Sequence, residues 1–114
     1  MQIVQKPISN QELKNICDKS FGHLVKAVVD IEQEIMAIEA ELHADLEELL
    51  LEHGSQQKNL WGINIHPDKF ATTEWIEFDS MINLRPSWGN KSRGVDDPKI
   101  REQIVHIVKK LVIP

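Results

Sequence analysis

Polar and apolar residues alternate in some segments of this chain and recur at helical spacing in others. Near the amino end, Ser9 followed by Glu12 has the serine-x-x-glutamate form of a helix capping box. The apolar spacing after it predicts a first helix that buries Leu13, Ile16 and Cys17.

Strands are predicted further along by alternation. β-Branched residues alternate with Lys26 and Asp30 over residues 25 to 31, and Trp61, Ile63 and Ile65 alternate with polar or small residues. The most regular alternation, at residues 75 to 85, predicts a long strand that stops at a proline.

A last helix is predicted after residue 96. Asp97 is placed as its cap and Pro98 occupies the first turn, where the missing N–H costs nothing. Its apolar stripe consists of Ile100, Ile104, Val108 and Leu111.

Residues 34 to 53 fit two periods. Gly54 is placed as a helix stop, and apolar residues recur three and four apart at Ile35, Ile38, Leu42, Leu46 and Leu49. However, polar and apolar residues alternate without a break over residues 39 to 47. We favour a strand over residues 34 to 47, in a hairpin with residues 60 to 65, with the helix as the alternative.

These elements predict an α+β fold in one domain spanning residues 1 to 114: an antiparallel twisted sheet of four to six strands with two or three helices packed on one face.

Cys17 is the one cysteine, so no internal disulfide forms. The amino end does not resemble a signal peptide, and no run approaches the roughly 18 apolar residues of a membrane span. We expect a cytoplasmic protein away from membranes, and the net charge of −5 makes nucleic acid an unfavourable partner.

The charge pattern suggests one chemistry. Nine acids and no lysine or arginine fall between residues 27 and 57. On a strand, alternate residues share a face, so Glu41, His43 and Asp45 would form a row that a neighbouring strand completes with Asp79. Carboxylate and imidazole groups are suitable ligands for a divalent metal, and such a site would indicate a metal-dependent hydrolase. A solvated sheet face is the favoured alternative.

The loop after residue 85 suggests another site. Arg85 and Arg93, with glycine-freed amides, would hold a small anion, although pairing of the arginines with acids such as Asp79 or Glu77 is favoured. Trp75 and Trp88 are predicted at a strand edge and a loop tip, where exposed indoles would support a homodimer contact.

Four segments carry a family resemblance: Glu-Leu-His-Ala-Asp at 41 to 45, Leu-Trp-Gly-Ile-Asn at 60 to 64, Glu-Phe-Asp-Ser-Met-Ile-Asn at 77 to 83, and Arg-Pro-Ser-x-Gly-Asn-Lys-Ser-Arg-Gly at 85 to 94. Together they resemble a family of short uncharacterised prokaryotic proteins, cyanobacterial ones among them. The resemblance implies one common pattern of polar residues and no particular activity.

The sequence therefore predicts a protein that binds a small ligand or a partner. Its alternatives are the metal-dependent hydrolase and a structural or assembly role. The predicted binding residues are His43, Asp45, Asn64, Asp79, Asn83, Arg85, Asn90 and Arg93.

Overall fold

Three α-helices form in the computed structural model, which describes residues 1–20 and 22–114. They are α1 (Asn10–Lys19), α2 (His43–Glu52) and α3 (Pro98–Leu111). The Ser9 hydroxyl accepts the Glu12 amide N–H at 3.2 Å, and the Asp97 carboxylate accepts that of Lys99 at 2.9 Å. Both caps confirm the predicted helix starts.

A five-stranded antiparallel sheet forms within the described residues. In spatial order its strands are β1 (Gln2–Val4), β4 (Ile35–Ile38), β3 (Val25–Asp30), β5 (Leu60–Ile65) and β6 (Ile76–Glu77). Two short strands, β2 (Ile8–Ser9) and β7 (Val112–Ile113), pair in parallel as a separate ladder. The predicted α+β class and the predicted range of strand number are confirmed.

Side chains alternate along each strand, so the two faces of the sheet pack against different helices. Val29 and Ile63 pack with α1 and α3 in the larger core cluster, whereas Val28 packs with Leu46 and Leu50 of α2 in the smaller one. Two helices thus lie on one face as predicted, and α2 covers part of the other.

The strand predicted over residues 34 to 47 is confirmed only at Ile35–Ile38 and is wrong from residue 39 onward. β4 ends at Ile38, the next residue takes a positive φ of 74°, and α2 begins four residues later. The helical period wins because Leu46 and Leu50, one helical turn apart, are both fully buried against the sheet. The predicted hairpin with residues 60 to 65 is also wrong, since β5 pairs with β3 and β6.

The long strand predicted over residues 75 to 85 is also wrong. It pairs only at Ile76–Glu77, and Ser80 then caps a 3₁₀ turn at Met81–Asn83. The chain turns there because the Ser80 amide donates to the Arg93 carbonyl at 2.9 Å, which ties this segment to a loop instead of a strand. Trp75, predicted at an exposed edge, is buried.

Candidate functional site

An open cleft of about 350 Å³ lies between the amino end of α2 and residues 79–82. Four of the predicted binding residues line it, namely His43, Asn64, Asp79 and Arg93. They come from α2, from β5 and from two loops, and Lys26 of β3 joins them. Residues far apart in sequence therefore meet on the sheet face that α2 only partly covers.

His43 forms the floor of the cleft and is 9% exposed. Its Nε2 lies 2.8 Å from the backbone carbonyl oxygen of Ile63. Because a carbonyl only accepts, we assign the ring hydrogen to Nε2, which leaves a lone pair on Nδ1. Burial lowers the pKa of His43 and Lys26 adds to the lowering, while the Ile63 carbonyl, Asp79 and Asn64 act in the opposite direction. The imidazole is therefore neutral at pH 7.

Asn64 stands beside His43 and is 6% exposed. Its side-chain nitrogen donates to Glu77 Oε1 at 2.8 Å and to the Asp79 carbonyl at 3.3 Å. Both partners are acceptors, so the orientation of the amide is fixed. Its Oδ1 is buried beside the His43 imidazole, where it acts to raise the pKa of that ring, and no described group donates to it while the ring is neutral. Two side-chain acceptors, His43 Nδ1 and Asn64 Oδ1, are thus left without a donor among the described residues.

The amino end of α2 opens into the same cleft. Leu42 occupies the N-cap position and makes no side-chain capping bond in the described structure. The first N–H groups of the helix, at His43 and Ala44, are therefore left without a cap at a point where the helix dipole is positive.

Two cations flank this helix end. Lys26 Nζ donates to the Glu41 carbonyl at 2.7 Å, which uses one of its three N–H groups. Arg93 Nε lies 2.8 Å from Asp79 Oδ1, and the two side chains are 57% and 45% exposed. Because this ion pair is exposed, it contributes little to the stability of the fold. Both side chains are therefore able to rearrange around a ligand. This pair agrees with the predicted pairing of a loop arginine with a local acid.

Three other predicted residues support the loop rather than lining the cleft. Asn83 is fully buried and bonds both backbone groups of Gly62. The Asn90 side chain donates to the Asn83 carbonyl at 2.7 Å and to the Gly94 carbonyl at 2.9 Å. Arg85 donates to three backbone carbonyls, and its guanidinium carbon lies 4.8 Å from the centre of the Trp61 ring. We assign these side chains to holding the loop in shape.

The remaining predicted residues do not form the acidic row. Glu41 precedes α2 and Asp45 lies in its first turn, and both are exposed. Across the described ranges, no three histidine, cysteine or acidic side chains are grouped so that they could hold a metal ion. The divalent metal remains a prediction. It assumed a strand at these residues, and they do not form one.

Sequence reasoning missed Lys26 and the open end of α2. Lys26 was assigned only to the polar side of its strand, and nothing local marks it as a neighbour of His43. The uncapped helix end had a signal in the hydrophobic Leu42 just before His43, but this signal appears only once the block is recognised as helical.

Residues 2–111 match the family described as "Protein of unknown function (DUF5674)". The chain belongs to this family. The match confirms the resemblance to a family of unknown function, and it includes the cleft and the loop behind it. Neither the search of curated proteins nor the search of solved structures found a match for this DUF5674 member. None of its described helices combines the length and apolarity needed to cross a membrane.

The lowered pKa of His43 predicts a pH dependence of folding stability. The unfolded chain binds a proton at His43 near pH 6.5, whereas the folded chain binds it only at lower pH. The free energy of unfolding should therefore fall as pH decreases below about 6.5. His43→Gln lacks this contribution, so urea unfolding should show the stability difference between wild type and variant shrinking from pH 7.5 to 5.5.

His106→Gln is the matched control because His106 is exposed on α3. Its stability should follow that of the wild type at both pH values. Parallel pH profiles for wild type and His43→Gln would contradict the lowered pKa.

Proposed function

We propose that this protein binds a small anionic molecule in the cleft at the amino end of α2. The observation that carries the proposal is the meeting of an uncapped helix end with Lys26 and Arg93 in one concavity. Two cations and one acid, Asp79, line the cleft, whereas the neighbouring acids Glu41 and Asp45 are exposed and do not line it. Helix N-termini and cationic side chains together favour anions.

The rim of the cleft supports a ligand with an apolar part. Leu42 is 58% exposed and Met81 is 62% exposed, and both line the cleft. A volume of about 350 Å³ is at the lower end of the range of small-molecule pockets. A carboxylate with a short branched aliphatic chain would place its charge on the helix end and its chain between Leu42 and Met81.

The alternatives have weaker support. A metal-dependent hydrolase would need the acidic row, and the acids are instead distributed around α2 and the turn before it. A homodimer contact would rest on Trp88 alone, since Trp75 is buried. A cytoplasmic location remains part of the proposal and is supported by the single buried Cys17.

The test uses 4-methylpentanoate as the probe and its neutral amide, 4-methylpentanamide, as the matched control ligand. In two-dimensional ¹H–¹⁵N NMR titrations, the acid should shift the amide signals of His43 and Ala44, and the amide should not. Lys26→Ala and Arg93→Ala should each raise the Kd about tenfold, since a charge-assisted hydrogen bond contributes more than a neutral one.

Lys99→Ala provides the protein control, because Lys99 is exposed in the first turn of α3, outside the cleft. Its affinity for the acid should equal that of the wild type. Equal losses in Lys99→Ala and Lys26→Ala would mean a diffuse charge effect. That result, or shifts spread over the whole surface, would remove the cleft as the site.

A further inference from the structure

We infer that the ligand is a 2-hydroxy carboxylate, whose hydroxyl donates a hydrogen bond to His43 Nδ1 while its carboxylate lies on the amino end of α2. This inference rests on the proposed function and adds the chemical class of the ligand. It follows from two side-chain acceptors in the cleft, His43 Nδ1 and Asn64 Oδ1, to which no described residue donates.

The first acceptor is His43 Nδ1. The Nε2 hydrogen is already used on the Ile63 carbonyl, at 2.8 Å, and this bond also fixes the plane of the ring. The ring is buried enough to stay neutral, so Nδ1 offers a lone pair instead of an N–H. A ligand group that meets this nitrogen must be a donor.

The second acceptor is Asn64 Oδ1, which also lacks a hydrogen-bond donor. Its amide cannot turn to present a donor, because the nitrogen is held by the Glu77 carboxylate and the Asp79 carbonyl. The oxygen is buried and unpartnered within the described residues, and its negative potential adds to that of Nδ1. A donor placed at Nδ1 would relieve both acceptors electrostatically, as the unpaired state of a buried polar group is costly.

The position of the hydroxyl follows from connectivity. The uncapped N–H that would hold the carboxylate and the imidazole that would accept the hydroxyl belong to the same residue, His43. Ligand groups that reach both must be close neighbours in the ligand. A hydroxyl on the carbon next to the carboxylate meets this requirement, and the apolar remainder then points to Leu42 and Met81.

The experiment compares three probes that differ at one position: 2-hydroxy-4-methylpentanoate, with each enantiomer tested separately, 4-methylpentanoate, and 2-methoxy-4-methylpentanoate. Isothermal titration calorimetry at pH 7.5 should give a Kd about tenfold lower for one hydroxy enantiomer than for the unsubstituted acid. The methoxy acid, which cannot donate, should bind no better than the unsubstituted acid. In His43→Phe the ratio between hydroxy and unsubstituted acid should fall to about one.

A spectroscopic readout keeps the inference testable if His43→Phe does not fold. Long-range ¹H–¹⁵N spectra of the wild type resolve the two ring nitrogens, and the hydroxy acid should move the Nδ1 resonance while 4-methylpentanoate leaves it in place. Equal affinities of the hydroxy and unsubstituted acids would overturn the inference and leave the proposed function standing. A shift of Nδ1 with both acids would also overturn it, since protonation of the ring would then supply the donor. If none of the acids binds, the proposed function and this inference fall together.

Discussion

Replacing Asn83 with alanine is expected to lower the free energy of unfolding by about 4 kcal/mol. The Asn83 amide accepts from the Gly62 N–H at 2.8 Å and donates to the Gly62 carbonyl at 2.9 Å and to the Arg93 carbonyl at 3.0 Å. Alanine would leave the Gly62 N–H and the Gly62 carbonyl without this partner, each at a cost of about 1 to 3 kcal/mol when it stays buried. The Arg93 carbonyl would keep its bond from the Ser80 amide. Urea unfolding followed by circular dichroism measures the loss.

Two variants sharpen this prediction. Asn15→Ala removes an exposed asparagine from α1 and should change stability by less than about 0.5 kcal/mol. Asn83→Asp keeps an acceptor for the Gly62 N–H but loses both donors, so it should be destabilised as Asn83→Ala is. An Asn83→Ala protein within about 1 kcal/mol of the Asn15→Ala control would show that these bonds are replaced by water.

Some elements could be predicted from the sequence because their signals are local. Ser9 and Asp97 mark helix starts through bonds to residues two or three positions away, and these bonds form regardless of the rest of the fold. β3 was predicted equally well, since its β-branched residues have strong strand preference and its alternation is compatible with one period only.

The other elements depend on contacts that no local pattern contains. Residues 39 to 47 carry both a strand period and a helix period, and burial of Leu46 and Leu50 against Val28 decides between them. Likewise, residues 75 to 85 alternate like a strand, but Ser80 bonds to the loop at Arg93 instead of to a neighbouring strand. In both places tertiary packing overrode local preference.

Prediction of the candidate site was limited because the site also depends on tertiary contacts. His43 and Asp79 were grouped because a shared sheet face was predicted, which is wrong. They meet instead because α2 begins beside β5. Lys26 enters the cleft through the register of β3 with β5, which places it opposite Asn64. Such a register is a property of the assembled sheet, so a lysine in an alternating strand gives no sign of it beforehand.

Gly62 lies where β5 packs closely against residues 80–82, and Gly62→Ala is expected to destabilise the fold by about 3 kcal/mol. A Cβ there would lie 2.5 Å from both Cβ and Oγ of Ser80 and 3.1 Å from Cγ1 of Ile82. Ser80 is 1% exposed and cannot swing away, so residues 80–82 would have to move off the sheet. Those residues form one wall of the cleft, and affinity for 4-methylpentanoate should fall with stability.

Gly22→Ala is the glycine control, because a Cβ at Gly22 would meet its nearest atom at 3.4 Å, an ordinary contact. The cause of the loss is isolated by a double-mutant cycle with Ser80→Gly, which removes the two closest of the three atoms that the new Cβ would meet and leaves Cγ1 of Ile82. If steric overlap is the cause, Gly62→Ala should cost less in the Ser80→Gly background than in the wild type, with a coupling of about 1 kcal/mol or more. Strictly additive effects would instead assign the loss to the backbone of β5, and the close approach of residues 80–82 would then be incidental to the fold.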